Sequence, residues 1–289
     1  MDDRTTRKPY ESDLTDEEWK IVGPLLPAGK FGGRPRTTNI REVLNGIFYL
    51  LRTGCAWRLL PHDFPPAGTV YDYFRAWSRD GTLQRIHDTL RRRVRVAAGR
   101  NEEPSAACID SQSAKTNEQG GIDGYDAGKK IMGRKRHILV DTMGLLLAVV
   151  VTAASVTDAK AAREVFQRAT AEGLPRLAKV LGDHVYGNEG LPEWTADNTT
   201  FRLEITVKDP TPQEPGKKKF KVIKWRWVVE RTFAWLGRYR RNSRDYEKLS
   251  QTSESMLMIS GIQLMLRRLK PRGDAFVFHY PKNQENKAN

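Results

Sequence analysis

Asp110 closes the apolar run Ala107-Cys108-Ile109, and Asp183 closes Val180-Leu181-Gly182. Both runs read as short strands, and in open α/β sheets sites form at the carboxyl ends of strands. The two carboxylates converge if their strands are neighbours. A third acid, Glu230, is the one carboxylate in the basic, aromatic stretch VVERTFAWLGRYRR, Val228 to Arg241. Three carboxylates around one point repel each other unless cations sit between them, and carboxylate oxygens are the ligands that Mg2+ and Mn2+ prefer. Two such ions ~3.5–4 Å apart activate an attacking oxygen and stabilise a leaving one in phosphodiester displacement. The plainer reading of a strand-end aspartate is a turn cap, which is the reading preferred for Asp141 and Asp158.

Glu230 gains weight from its helical wheel, at ~100° per residue. Arg226, Ala234, Gly237 and Arg241 fall on its side. Val228, Val229, Phe233, Trp235, Leu236 and Tyr239 fill the opposite arc, and Lys224, Arg231 and Arg238 form a basic flank. A glycine inside a helix costs ~1 kcal/mol relative to alanine, so Gly237 suggests room kept for a ligand backbone. Arginines beside the acid suit phosphates. The alternative is a surface pair between Arg226 and Glu230, one turn apart.

The elements that must position these acids follow from pattern. Thr15 with Glu18 is a capping box for a first helix ended by Pro24 and Pro27. IREVLNGIFYLLRTG reads as a second helix stopped by Gly54, and TVYDYFRAWSRDG as a third, capped by Thr69 and stopped by Gly81. Two helices, a tight connection and a helix carrying Tyr71, Arg75 and Arg79 are compatible with a helix-turn-helix DNA reader or with a purely structural bundle. After the linker NEEPS the pattern turns to strands. RHILVDTMGLLLAVVVTA reads as a hairpin around Asp141–Gly144, followed by a helix capped at Thr157 or Asp158, then strand, helix, strand and the Glu230 helix. That order predicts a mixed sheet with helices on its faces. The basic run Lys129, Lys130, Arg134, Lys135, Arg136 and His137 reads as a phosphate-binding loop or, more plainly, as a solvated charge run.

Charge names the partner class. The 289 residues carry 49 Lys and Arg against 35 Asp and Glu, a formal net charge of +14, which suits nucleic acid first and an anionic surface second. No apolar run reaches membrane-span length and no leader segment is legible, so the expected setting is cytoplasmic, associated with the nucleoid, without membrane. Cys55 and Cys108 give neither a disulfide framework nor a zinc spacing.

The order Asp110, Asp183, Glu230 on strand, strand and helix resembles the DDE transposases with a ribonuclease H-like core. More specifically the chain resembles bacterial transposases of the insertion sequence five family, within the insertion sequence four grouping. The stretches that carry the resemblance are LTDEEWKIVGPLLP, GGRPR, REVLNGIFYLLRTGCAWRLLP, CIDSQSAKT, GYDAGKKIMGRKRHILVDTMGLLL and RWVVERTFAWLGRYRRNSRDYE, in the family's order along most of the chain.

The resemblance implies an α/β fold: a ribonuclease H-like mixed sheet flanked by helices, with an N-terminal all-α, helix-turn-helix-like domain. The expected division is a helical DNA-binding domain over 1–100, a catalytic domain over 101–271 and a tail over 272–289. It implies Asp110, Asp183 and Glu230 as catalytic residues and ligands of two Mg2+ ions, with Mn2+ substituting. Its partners are double-stranded DNA, as terminal inverted repeats and target, and further copies of the chain in a homodimer or higher multimer. Expected DNA contacts are Arg226, Arg231, Arg238, Arg241, Lys130, Arg134, Lys135, Arg136, Tyr71 and Arg75. The wider group's signature sets Tyr, Arg, Glu and Lys at fixed spacing. Arg226 and Glu230 match it, whereas Ile223 and Gly237 replace the tyrosine and lysine, with Arg238 or Arg241 as substitutes for the latter. Two rival functions share these features: a DNA-binding factor derived from a transposase, and a nuclease without strand transfer.

Overall fold

The computed structural model describes residues 7–29, 32, 36–118, 120–206 and 226–272. Four helices come first: α1 (Asp16–Val22), α2 (Ile40–Thr53), α3 (Ala67–Arg79) and α4 (Thr82–Ala97). The capping box forms as the sequence reads, with Thr15 accepting from the Glu18 amide and the Glu18 carboxylate from that of Thr15. Gly54 takes the left-handed conformation that ends α2, at φ 73°. The sequence reading needs two corrections here. Helix α3 starts at Ala67 rather than after a Thr69 cap. Residues 54–66, with a 3-10 turn at Trp57–Leu59, join α2 to α3, which is longer than the ~3–4-residue turn of a helix-turn-helix.

Among the described residues the second half forms a six-stranded sheet: β1 (Ala106–Lys115), β2 (Gly124–Asp126), β3 (Ile131–Asp141), β4 (Leu146–Ala153), β5 (Lys179–Gly182) and β6 (Arg202–Ile205). β3 pairs antiparallel with β1, β2 and β4, and β1, β5 and β6 run parallel. The expected hairpin is β3–β4, and the Gly144 amide closes its turn on the Asp141 carbonyl. Helix α5 (Asp158–Ala171), capped by the Thr157 hydroxyl, and α6 (Leu191–Asn198) complete that half, with α7 (Arg226–Gly237) and α8 (Ser250–Leu269). This is the mixed sheet with helices on its faces, preceded by helices, that the sequence predicts.

Three apolar cores hold these layers. Val165, Phe166 and Ala162 of α5 cover one sheet face with Ala107, Ile109 and Leu139. Val228, Val229, Phe233 and Leu236 of α7 cover the other with Cys108, Ile138, Val140 and Val149. The third core is built from both ends of the chain, because Met256, Ile259, Ile262, Met265 and Leu266 of α8 pack among Ile47, Phe48, Leu51, Phe74 and Leu90. The expected tail contributes Arg272, which donates to Glu11, Asp13 and Glu18, and residues 273–289 lie outside the described set.

Cys108 sits inside the α7 core, and burial, followed by the charge of Asp141, pushes its thiol up to about 12. At pH 8 it is protonated and inert. A native thiol titration is therefore expected to label the half-buried Cys55 alone, with a second equivalent appearing only in denaturant.

Candidate active site and nucleic-acid interface

The parallel pairing of β1 with β5 decides where the two aspartates meet. Ala106, Ala107 and Cys108 face Lys179, Val180 and Leu181. Carried two residues further, that register sets Asp110 level with Asp183 on neighbouring strands, ~4.8 Å apart in the pairing direction. Asp183 then leaves the sheet and caps the 3-10 turn His184–Gly187, its Oδ1 accepting from the Val185 amide at 3.1 Å. Asp110 does not close its strand as the sequence suggests, because β1 runs on to Lys115 against β3; its carboxylate accepts from the Ser111 amide at 2.7 Å. Both are half-buried, so their oxygens reach solvent.

The face they share is that of α7. Asp110 lies opposite Ile138 in the sheet and two residues beyond Cys108, and both neighbours belong to the core under α7. Val228, Val229, Phe233 and Leu236 bury one side of α7, which leaves Glu230, Ala234 and Gly237 exposed. A Cβ built on Gly237 meets no atom within 4 Å. The open stripe read from the wheel is present, but the helix ends at Gly237. That glycine is a terminal residue, not an interior one.

Two side chains pin α7 to the β3–β4 turn. The Thr232 hydroxyl donates to the Gly144 carbonyl at 2.9 Å, and Arg231 donates to that of Met143 at 3.2 Å. Gly144 has φ 79°, and an added Cβ would lie 2.6 Å from Thr232 Oγ1. Gly144→Ala is expected to destabilise the fold by about 1–3 kcal/mol, read as a lower denaturation midpoint at unchanged m.

Tyr186 reports on the acids from behind. It is buried, and burial, then the charges of Asp110, Asp158 and Asp183, raise its phenol well above the ordinary value. One side chain thus feels the charges of both Asp110 and Asp183. Among the described residues no three His, Cys, Asp or Glu side chains stand close enough to hold a metal as they are. The donors nonetheless fit a hard divalent cation: two level carboxylates with reachable oxygens and a third exposed on the helix over the same face.

The other expected contacts divide. Lys130, Tyr71, Arg75 and Arg238 are exposed. Arg226 opens α7 one turn before Glu230, and its side chain is not among those described. The run Arg134–His137 is a correction: it is neither loop nor solvated surface but the middle of β3, and its side chains are buried. Arg134 donates to Asp245, Ser253 and the Glu247 and Lys248 carbonyls. Arg136, on the same face, donates to the Asn242 and Arg244 carbonyls. Lys135, on the opposite face, pairs with Asp158 at 3.3 Å. Burial drives His137 down to about 4, so it is neutral near pH 7. These cations hold the segment between α7 and α8, and α5, against the sheet.

Arg241 is corrected on similar grounds. Arg241 is buried against Glu247 at 2.7 Å and donates to the Cys55 carbonyl. Arg231 is half-buried between the Trp227 and Trp235 rings, 4.2 and 4.4 Å from their centroids. Asp141 is the turn cap the sequence suggests: its Oδ1 accepts from the Met143 and Leu145 amides, and its Oδ2 binds Arg95. Asp158 opens α5 and pairs with Lys135. Sequence reasoning overlooked Arg52 and Arg240, exposed on either side of the joint between α2 and the segment after α7.

Comparison with known proteins identifies the family. Residues 101–265 match a family described as "Transposase DDE domain", which carries a ribonuclease H-like fold. Residues 14–87 match one described as "Putative transposase of IS4/5 family". The "Insertion element IS402 uncharacterized 16.2 kDa protein" of Burkholderia cepacia is 33% identical over 109 residues, 35% of this chain and 72% of that protein. "Uncharacterized protein y4sN" of Sinorhizobium fredii is 29% identical over 79 residues, 27% of this chain and 63% of that protein. No described helix is long and apolar enough to cross a membrane.

Proposed function

The chain belongs to the DDE-domain transposases of the IS4/5 kind, enzymes that act on DNA with divalent metal, and from that premise we propose that it cleaves an element's ends and joins the freed 3′-hydroxyl to target DNA. The observation that carries the reading is the shared level of Asp110 and Asp183 on adjacent parallel strands, beneath the helix that exposes Glu230.

In this reading Asp110, Asp183 and Glu230 would hold two Mg2+ ions, or Mn2+ in their place, which would supply activation of the attacking oxygen and neutralisation of charge on the leaving one. The chain's own residues set the geometry. Asp110 and Asp183 are fixed by amide hydrogen bonds from Ser111 and Val185. Thr232 and the α7 core fix the height of Glu230 above the sheet. Ala234 and Gly237 leave its flank low enough for a strand to approach. Arg238, Lys130 and the Arg226 that precedes Glu230 would meet phosphates, and Tyr71 and Arg75 on α3 would meet the inverted repeat. Two copies would pair two ends.

The test is a reaction of purified chain with Mg2+, a duplex carrying the element end and a second target duplex. Transposition predicts a new 3′-hydroxyl at the end and its covalent appearance in the target. Cleavage without joining supports the nuclease instead, and binding without cleavage supports the DNA-binding factor.

A further inference from the structure

Where the helical region meets the end of α7, an open hollow of about 480 Å³ is lined by Arg52, Thr53, Arg238 and Arg240. The joint beneath it is tight. Gly54 is left-handed at φ 73°, and a Cβ there would lie 3.1 Å from Arg240 Cβ and 3.2 Å from its carbonyl carbon. Arg241 donates to the Cys55 carbonyl, and Arg52 reaches the Arg238 carbonyl at 3.5 Å. The two backbones are thus held in contact while three guanidiniums, all on exposed residues, stand around the opening.

Among the described residues that line the hollow, every charged one is an arginine. Buried Tyr239 feels Arg267, Arg52 and Arg238 together, and Arg267 feels Arg52 in turn. Glu18, the acid on that side, is already paired with Arg272 at 2.7 Å. Guanidinium forks match phosphate oxygens, and three of them surround one opening here.

We infer that this hollow is a phosphate-binding subsite for the DNA strand that enters the acid site. The inference rests on the function proposed above. Glu230 lies seven residues before Gly237 on α7, ~10 Å along the helix axis at ~1.5 Å per residue. With one phosphate per ~3.4 Å of duplex axis on each strand, a duplex lying along α7 brings a phosphate roughly three nucleotides from the one at the acids to the hollow. Arg52 belongs to α2 and Arg238 and Arg240 follow α7, so one strand would bridge the N-terminal helices and the catalytic sheet.

The experiment titrates DNA affinity against KCl without divalent metal, using an element-end duplex and an unrelated duplex. Arg52→Ala and Arg240→Ala keep the backbone and Cβ that form the joint. Each is expected to flatten the slope of log affinity on log salt by about 0.9 on both duplexes, and the pair by about 1.8. The double lysine variant retains the wild-type slope. The control Arg202→Ala removes an exposed arginine already paired with Glu204 and leaves the slope unchanged. An unchanged slope in both single variants and in the double alanine variant overturns the subsite. That failure is separate from failure of the catalytic reading: a fully active Asp110→Asn chain leaves these slopes as they are, and a dead one does not change them.

Discussion

Asp110→Asn, Asp183→Asn and Glu230→Gln are each expected to lower end cleavage and strand transfer in Mg2+ by at least ~10²-fold, the scale set by loss of one electrostatic stabiliser of a transition state. DNA affinity and the unfolding midpoint should hold. The substitutions spare the local structure. With asparagine at position 110, the side-chain oxygen still accepts from the Ser111 amide. With asparagine at position 183, the 3-10 turn keeps its cap, since asparagine caps as well as aspartate. Glu230 is exposed, so glutamine there disturbs no core. Only the charge is lost. If the three carboxylates act as one unit, double variants fall no further than singles. Multiplicative losses would mean separate roles. Asp141→Asn behaves differently: it strips the buried Arg95 of its partner and shows first as lost stability.

Arg134→Met is expected to destabilise the chain by about 3–5 kcal/mol, the usual cost of removing one partner of a buried ion pair. Arg134 and Asp245 are both fully buried, 3.0 Å apart. The same guanidinium binds Ser253 and the carbonyls of Ile122, Glu247 and Lys248. Removing it leaves the buried Asp245 charge without its ion-pair partner and takes the donor from three carbonyls. The double variant Arg134→Met with Asp245→Leu should recover part of the loss, because no unpaired charge remains. Denaturant midpoints measure both. The folded fraction of Arg134→Met should bind DNA like wild type, and weakened binding at unchanged stability would return Arg134 to the phosphate contacts.

That contrast shows what the sequence carries. Features set by near neighbours were legible: the Thr15 box, the Thr157 cap, the β3–β4 turn and the acid that follows β5. The end of β1 was not: Asp110 follows the apolar run but lies mid-strand, because pairing with β3 carries β1 on to Lys115. The open stripe of Glu230, Ala234 and Gly237 was legible because its periodicity is local. Partnerships across the chain were not. Arg134 and Arg136 look like a phosphate loop until Asp245, 111 residues beyond Arg134, is folded against it. Their alternation with Lys135 was in fact a strand signal, since β3 sends them to opposite faces. Arg241 lost its expected role because the chain leaves the helix at Gly237 and turns it onto Glu247. The arginine hollow was invisible because α2 supplies one side and the segment after α7 the other. Ile223 and Lys224 lie outside the described residues.

The central claim is that Asp110, Asp183 and Glu230 share metal where the middle of β1 lies beside the end of β5. Anomalous scattering from crystals of the chain with an element-end duplex and Mn2+ tests it most directly. The account predicts manganese peaks bounded by the Asp110 and Asp183 carboxylates, with Glu230 reaching the same ions. Manganese bound elsewhere, with these three carboxylates bare, would contradict it.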